Sequence, residues 1–267
     1  MLRRRVGVLI SGRGSNMMAL VERARGYEVT LVASDRPDAS GLAWASERGL
    51  PTFALSPKDV GKAAYEEALD AALRDAGVKV IALAGYMRLL SDAFVAQWRG
   101  RIVNIHPSLL PKYKGLDTHA RVLAAGDRHA GCSVHLVTEE LDGGRVLGQS
   151  RVPILPGDDA EALAARVLAA EHELYPRILA EFVMSPDERV REIALRLPET
   201  EQSGAAFTVA GELFAELRGY TLRVFDDSGE WDEIALSAVM DWTLVEDRIA
   251  RSWELTAPTG LLEAGGR

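Results

Sequence analysis

Residues 78–84 read V-K-V-I-A-L-A, a short and strongly apolar run. Such a run predicts a central strand of a parallel sheet, covered on both faces. Residues 6–10 and 28–34 repeat the pattern, and residues 51–55 give a shorter strand. Between these runs, residues 17–25, 41–49 and 58–77 read as helices. The last carries Ala64, Ala68, Leu69, Ala72 and Leu73 at helical spacing. Residues 91–98 predict a short helix capped by Ser91. Residues 132–137 alternate as a strand does, and residues 146–154 give another. Residues 158–183 predict a long helix that Pro176 kinks or splits. Strands alternating with helices predict an α/β fold with a doubly wound, mostly parallel sheet.

In such a sheet, chemistry sits where strands end and loops begin. Residues 101–115, R-I-V-N-I-H-P-S-L-L-P-K-Y-K-G, offer the richest such edge. Ile102, Val103 and Ile105 mark the end of a buried strand. Asn104 and His106 are two apart and so face the same side. Pro107 and Pro111 then stop regular structure. An amide and an imidazole aimed into one pocket can donate hydrogen bonds to a developing oxyanion, and the imidazole can also move a proton. From these residues alone, a capped strand end with a satisfied histidine stays open as the alternative. Residues 11–16, S-G-R-G-S-N, form a glycine-rich turn between a strand and a helix, a geometry that presents N–H groups to an anion. The turn lacks the third glycine of a dinucleotide fingerprint and the lysine of a Walker loop. Residues 139–144, E-E-L-D-G-G, make a polar turn that carries Asp142.

N-I-H-P-S-L-L-P resembles the signature of the formyltransferases that use 10-formyltetrahydrofolate, and E-E-L-D-G-G is similar to a second element of that family. S-G-R-G-S-N narrows the resemblance to the glycinamide ribonucleotide transformylases. It covers residues 1 to about 182, with the three motifs in the family's order. The resemblance implies the formyltransferase fold. It also implies transfer of a formyl group from 10-formyltetrahydrofolate, a co-substrate, to the amine of glycinamide ribonucleotide in purine biosynthesis, without a metal. By the same resemblance Asn104, His106 and Asp142 are the catalytic trio. Gly14, Ser15 and Asn16 hold the ribose phosphate, and Glu171 reaches the same ribonucleotide. Lys62, Met87, Arg88, Leu89 and Leu90 bind the folate together with Asn104.

Plainer readings stand beside these. Lys62 is also a solvated helix charge, Glu171 an exposed helix carboxylate, and residues 87–90 a core-packed connection. His135, two residues from Ser133, takes either an accessory place in the site or a satisfied place near the core. Asp117 stands where the family often has histidine, which leaves the contacts of the 112–121 loop open. Methionyl-tRNA formyltransferase and formyltetrahydrofolate hydrolase share the central motif and are the alternatives. A tRNA enzyme needs a basic extension, and a hydrolase carries an extra domain before the first strand.

Charge separates the end of the chain from the rest. Residues 1–184 carry 23 cationic and 22 acidic side chains, and residues 185–267 carry 8 and 17, net +1 and −9 of the total −8. Domains are therefore expected at 1–183 and 186–267. The tail opens with the helix cap Ser185-Pro186-Asp187-Glu188 and an apolar face of Val190, Ile193, Ala194 and Leu197. Two alternating runs follow, F-T-V-A-G-E-L-F-A-E-L and Y-T-L-R-V-F. They predict an antiparallel sheet, with a third strand at 238–245 and a closing helix at 246–255. This small α+β unit resembles the MmcQ/YjbR-like domains. Its acidity opposes nucleic-acid binding and leaves a homodimer contact, a protein partner or stabilisation as its roles. The chain has no apolar run long enough for a membrane helix; its basic start resembles that of a signal peptide, but the apolar core that follows is cut off by Ser11 and Gly12. The single cysteine, Cys132, excludes an intramolecular disulfide. A cytoplasmic enzyme of small-molecule substrates, without membrane or nucleic-acid partners, is the expectation.

Overall fold

In the computed structural model, which describes residues 4–237 and 240–265, the chain falls into two units, Met1–Val183 and Met184–Arg267. The first unit runs β1 (Arg4–Ile10), α1 (Ser15–Glu22), β2 (Tyr27–Ser34), α2 (Ser40–Glu47), β3 (Thr52–Ala54), α3 (Pro57–Val60), α4 (Lys62–Asp75) and β4 (Val80–Leu83). It continues through α5 (Asp92–Gln97), β5 (Ile102–His106), α6 (Thr118–Ala124), β6 (His129–Leu136), β7 (Val146–Pro153) and α7 (Ala160–Val183). The sheet order is β3-β2-β1-β4-β5-β6-β7. The first five strands pair in parallel. β6 and β7 are antiparallel additions, and the 137–145 turn between them is too short for a parallel crossover. The sheet is α/β and mostly parallel, as the alternation predicts.

Period-2 alternation sorts the strands onto two cores. Val6, Val8 and Ile10 of β1, Ala82 of β4, and Val103 and Ile105 of β5 enter one cluster with α1, α2 and α7. Leu9, Ile81, Leu83 and Ile102 enter the other, with α4 and α5. Asn104 and His106 share the parity of Ile102 and therefore the second face. α5 begins at the Ser91 cap, whose hydroxyl accepts from the Phe94 N–H.

Two expectations for this unit need correction or refinement. Residues 58–77 are not one helix: α3 and α4 are separated at Gly61, whose φ of 85° and ψ of 158° interrupt the helical path. Ser56 and Pro57, a cap followed by proline at the first position, start the short α3. In α7 the helix continues through Pro176 without splitting.

The second unit comprises α8 (Pro186–Leu195), β8 (Thr200–Ser203), β9 (Ala206–Val209), β10 (Glu212–Arg218), β11 (Thr221–Phe225), β12 (Trp231–Ala235), α9 (Trp242–Thr256) and α10 (Thr259–Gly265). Its five strands form an antiparallel sheet ordered β12-β11-β10-β9-β8. One core joins Phe207, Phe214, Leu222 and Val224 to Val190, Ile193, Val245 and Ile249 from α8 and α9. Ser185 and Glu188 form a reciprocal capping box at α8. The strand expected at 238–245 is a correction. Residues 238 and 239 lie outside the described residues. From Trp242 the chain is helical, because the Asp241 side chain accepts from the Thr243 and Leu244 N–H groups and so starts α9. Among the described residues, no helix is long and apolar enough to cross a membrane.

Candidate active site

The C-terminal edge of β5 delivers Asn104 half-buried and His106 only 6% exposed. Nε2 of His106 donates to the Tyr113 carbonyl at 3.0 Å, since a carbonyl can only accept. Its Nδ1 faces Asp142 Oδ2 at 3.4 Å. A protonated ring would therefore meet an acceptor at each nitrogen. Tyr113 reaches this position in a left-handed conformation, φ 58°, and its hydroxyl donates to Asp127 at 2.9 Å.

His135 lies opposite Asn104 in the β5–β6 register and is 2% exposed. Its Nδ1 donates to the Leu136 carbonyl at 2.9 Å. Nε2 accepts from Asn104 Nδ2 at 3.1 Å and lies 3.5 Å from Asp142 Oδ1. Both readings open for His135 meet here: it is buried with both ring nitrogens partnered, and it touches Asn104 and approaches Asp142. Asp142 also accepts from the Gly115 N–H at 2.9 Å. Burial alone would raise its carboxyl. The facing ring of His135, the Gly115 N–H and the charge of His106 outweigh that and hold it below its ordinary value. Asp142 sits at φ 48°, a left-handed position that aspartate tolerates. Gly144 just beyond has no room for a Cβ against the Leu136 carbonyl.

A staple not anticipated from the sequence fixes the loop after His106. Ser133, fully buried, donates to the Ser108 carbonyl at 2.6 Å and accepts from the Leu110 N–H at 3.0 Å. Gln149 Nε2 donates to Ser133 Oγ at 2.8 Å and to the Leu110 carbonyl at 2.9 Å. Register supplied the missing signal, since His106, Ser133 and Gln149 lie in line across three strands. His119, at the start of α6, is pushed below its ordinary pKa by burial and by the nearby His106. A cavity of about 410 Å³ touches the same loop, lined by Pro107, Tyr113, Val122, Arg128, Gln149 and Arg151 among others; Asn104, His106 and Asp142 are not in its lining.

The glycine-rich turn links β1 to α1. Gly14 caps α1 at φ 73°, and a Cβ there would stand 3.0 Å from Met17. The open N–H groups of the first turn and the aligned peptide dipoles suit an anion. Asn16 is 8% exposed and donates through Nδ2 to Glu171 Oε2 at 2.7 Å, while its Oδ1 is buried without a partner. Glu171, on α7, is 6% exposed and so departs from the exposed-carboxylate alternative. Burial pushes its carboxyl up to about 7, against the opposing Asn16 hydrogen bond.

The folate candidates fall on one loop and one helix start. Met87 and Leu89 are exposed large apolar side chains, and Leu90 is half-buried. Arg88 faces Asp35 at 3.9 Å. Lys62 opens α4 and faces Glu66 at 3.9 Å in an ordinary i,i+4 pair. Glu66 in turn accepts from the Ser91 N–H at 2.9 Å, which ties the start of α4 to the end of this loop. The structure thus brings Asn104, His106, His135 and Asp142 together, and separately Asn16 and Glu171. It does not bring Lys62 into contact with either group.

A profile of the formyl transferase family matches residues 4–179, ending before the second unit. Phosphoribosylglycinamide formyltransferase of Escherichia coli K12 is 43% identical over 180 residues, 66% of this chain and 85% of that protein. The trifunctional purine biosynthetic protein adenosine-3 of Drosophila pseudoobscura pseudoobscura is 44% identical over 204 residues, 74% of this chain. The chain spans only 15% of the length of that relative. Among solved structures, phosphoribosylglycinamide formyltransferase from Brucella melitensis superposes with a TM-score of 0.66 at 52% identity, covering 69% of this chain and 97% of that one. With a matching profile over residues 4–179 and a bacterial relative 43% identical and covered over 85% of its length, the chain belongs to the formyl transferase family.

Proposed function

We propose that the first unit transfers the formyl group of 10-formyltetrahydrofolate to the primary amine of glycinamide ribonucleotide. The products are formylglycinamide ribonucleotide and tetrahydrofolate, in de novo purine biosynthesis. The observation that carries this reading is the convergence of Asn104, His106 and Asp142 at the strand edge, in a chain that also carries an anion-binding turn. Gly14, Ser15 and Asn16 hold the ribose phosphate at the start of α1. The unpaired Oδ1 of Asn16 accepts from a ligand hydroxyl, and Glu171 contacts the same ribonucleotide. The 87–90 loop receives the folate, and Lys62 adds a positive charge at its margin.

The amine attacks the formyl carbon, a C–N bond forms and the carbonyl oxygen becomes an oxyanion. Asn104 turns its amide N–H from His135 toward that oxygen. Protonated His106, with Asp142 behind Nδ1, stabilises the same charge. As the bond from carbon to the folate nitrogen breaks, that nitrogen gains a proton and the attacking amine loses one. His106 and Asp142 manage this exchange. Purified protein given both substrates should release tetrahydrofolate and formylated ribonucleotide. Equal release without the ribonucleotide would identify a formyltetrahydrofolate hydrolase instead.

The second unit reads as a non-catalytic MmcQ/YjbR-like module with a stabilising or interaction role, through a homodimer contact or a protein partner. Its separate core and its acidity support that reading. The chain is placed in the cytoplasm with its small-molecule substrates.

A further inference from the structure

β1 pairs with β2 on one side and β4 on the other, so the sheet grows in both directions from this strand pair. In sheets of this kind the crevice outside the carboxyl ends, where the order reverses, is the ligand cleft. Ser11 is the first residue beyond β1 and is 5% exposed. Its N–H donates to the Gly85 carbonyl at 3.2 Å. Its hydroxyl is used twice. It accepts from the Met87 N–H at 2.9 Å and donates to Asp35 Oδ1 at 2.6 Å. The directions are fixed, because an amide can only donate and a carboxylate only accept. Asp35, just past the end of β2 and 7% exposed, turns its second oxygen toward Arg88. One buried hydroxyl therefore joins the first residue of the glycine-rich turn to two residues of the 87–90 loop.

We propose that Ser11 and Asp35 are a positioning pair that couples the ribonucleotide turn to the folate loop, so that occupation of either site tightens the other. This rests on the functional reading given above for those two segments. The far side of the turn is already fixed, because the Gly12 carbonyl accepts from the Gly41 N–H at 3.2 Å. An anion that orders the turn therefore orders Ser11 as well. Through the hydroxyl it orders the Met87 amide, and through Asp35 it biases Arg88. The folate then meets a loop whose ordering cost is already met. Linkage makes the effect reciprocal. A chain of hydrogen bonds with fixed donor and acceptor roles also strengthens cooperatively. A merely structural serine would change stability without changing the ratio between two affinities.

The test uses tetrahydrofolate, which carries no formyl group, so both ligands bind without reacting. Calorimetric titration of the full chain should show tetrahydrofolate binding about fivefold tighter, or more, when glycinamide ribonucleotide is saturating, the lower end of usual coupling. Ser11→Ala should still bind both ligands, with the enhancement reduced below about twofold. If that variant does not fold, the near-isosteric Ser11→Cys, whose thiol is a weak donor and acceptor, must show the same loss. Two ligands that bind the wild type independently overturn the coupling while leaving the functional reading intact. So does a Ser11 variant with undiminished enhancement. Failure of either ligand to bind the wild type sinks both.

Discussion

Asn16 Nδ2 and Glu171 Oε2, 155 residues apart in sequence, meet at 2.7 Å between α1 and α7. The carboxyl is buried, and its pKa rises from 4.5 to about 7. Between those values the folded chain holds a proton that the unfolded chain has lost. The stability tied to this group is therefore full below about 4.5 and is lost as pH rises through about 7. Glu171→Gln removes the titration. Relative to wild type, the variant should gain about 3 kcal/mol on going from pH 4.5 to pH 8. Urea unfolding of both proteins across that range measures it, and parallel curves would contradict it. Ribonucleotide affinity should also change near pH 7 in the wild type and stay flat in the variant.

Asn104→Ala should lower kcat by about 10²–10³, the usual loss of one oxyanion donor. The Michaelis constant for the ribonucleotide should stay close to wild type. The amide is half-buried and its hydrogen bond goes to His135, so the substitution leaves one acceptor unpaired and little cavity. A loss smaller than tenfold with intact binding would show that Asn104 does not donate to the oxyanion.

Asp142→Asn keeps the shape of the turn and removes the charge beside His106. Turnover should fall by about a hundredfold or more, as for loss of an acid–base partner. Stability gives an independent readout. The Asp142 pKa is held below its ordinary value, so its contribution is present above the usual carboxylate range and is lost as pH falls through the folded value. The variant should therefore lose less stability than wild type on acidification. Identical acid unfolding profiles would mean that the charge is not held by these partners.

Much of this arrangement could be read from the sequence, because it follows periodicity and caps. Asn104 and His106 share a face by spacing alone, and Ser91 announces α5. The break at Gly61 has no sequence signal, because apolar spacing runs on through Leu73 and glycine conformation leaves no periodic trace. The start of α9 is masked because Trp242, Thr243, Leu244 and Val245 alternate enough to resemble a strand, although Asp241 is a helix cap. β8 and β12 lack an apolar pattern, since T-E-Q-S and W-D-E-I-A are polar strands at the two edges of the sheet. The acceptor for His106 is the Tyr113 backbone, and a carbonyl has no sequence signal.

Gly14→Ala should raise the Michaelis constant for the ribonucleotide several-fold and leave that for the folate, measured at saturating ribonucleotide, unchanged. The residue sits at φ 73° beside Met17, so a side chain adds about 1–2 kcal/mol of backbone strain as well as bulk. Thermal unfolding separates general damage from a local effect. An equal rise in both Michaelis constants, in a protein that melts normally, would displace the anion site from this turn.

A chain ending at Ser185 should fold and keep most of its turnover number. The apolar cores divide cleanly: two clusters draw on residues up to Val183, and the third begins at Val190. All candidate residues, from Gly14 to Glu171, precede that division. The family match likewise ends at residue 179. Removing residues 186–267 takes away a net charge of −9, so a long-range change in substrate encounter is the remaining route to an effect. That change would appear in kcat/KM and shrink with added salt, because exposed charges are screened beyond about 8 Å at physiological ionic strength. Turnover at saturating substrate would be unaffected. A shortened protein that is soluble and well folded, yet turns over at less than about a tenth of the wild-type rate, equivalent to about 1.4 kcal/mol of barrier, would place part of the active machinery in the second unit.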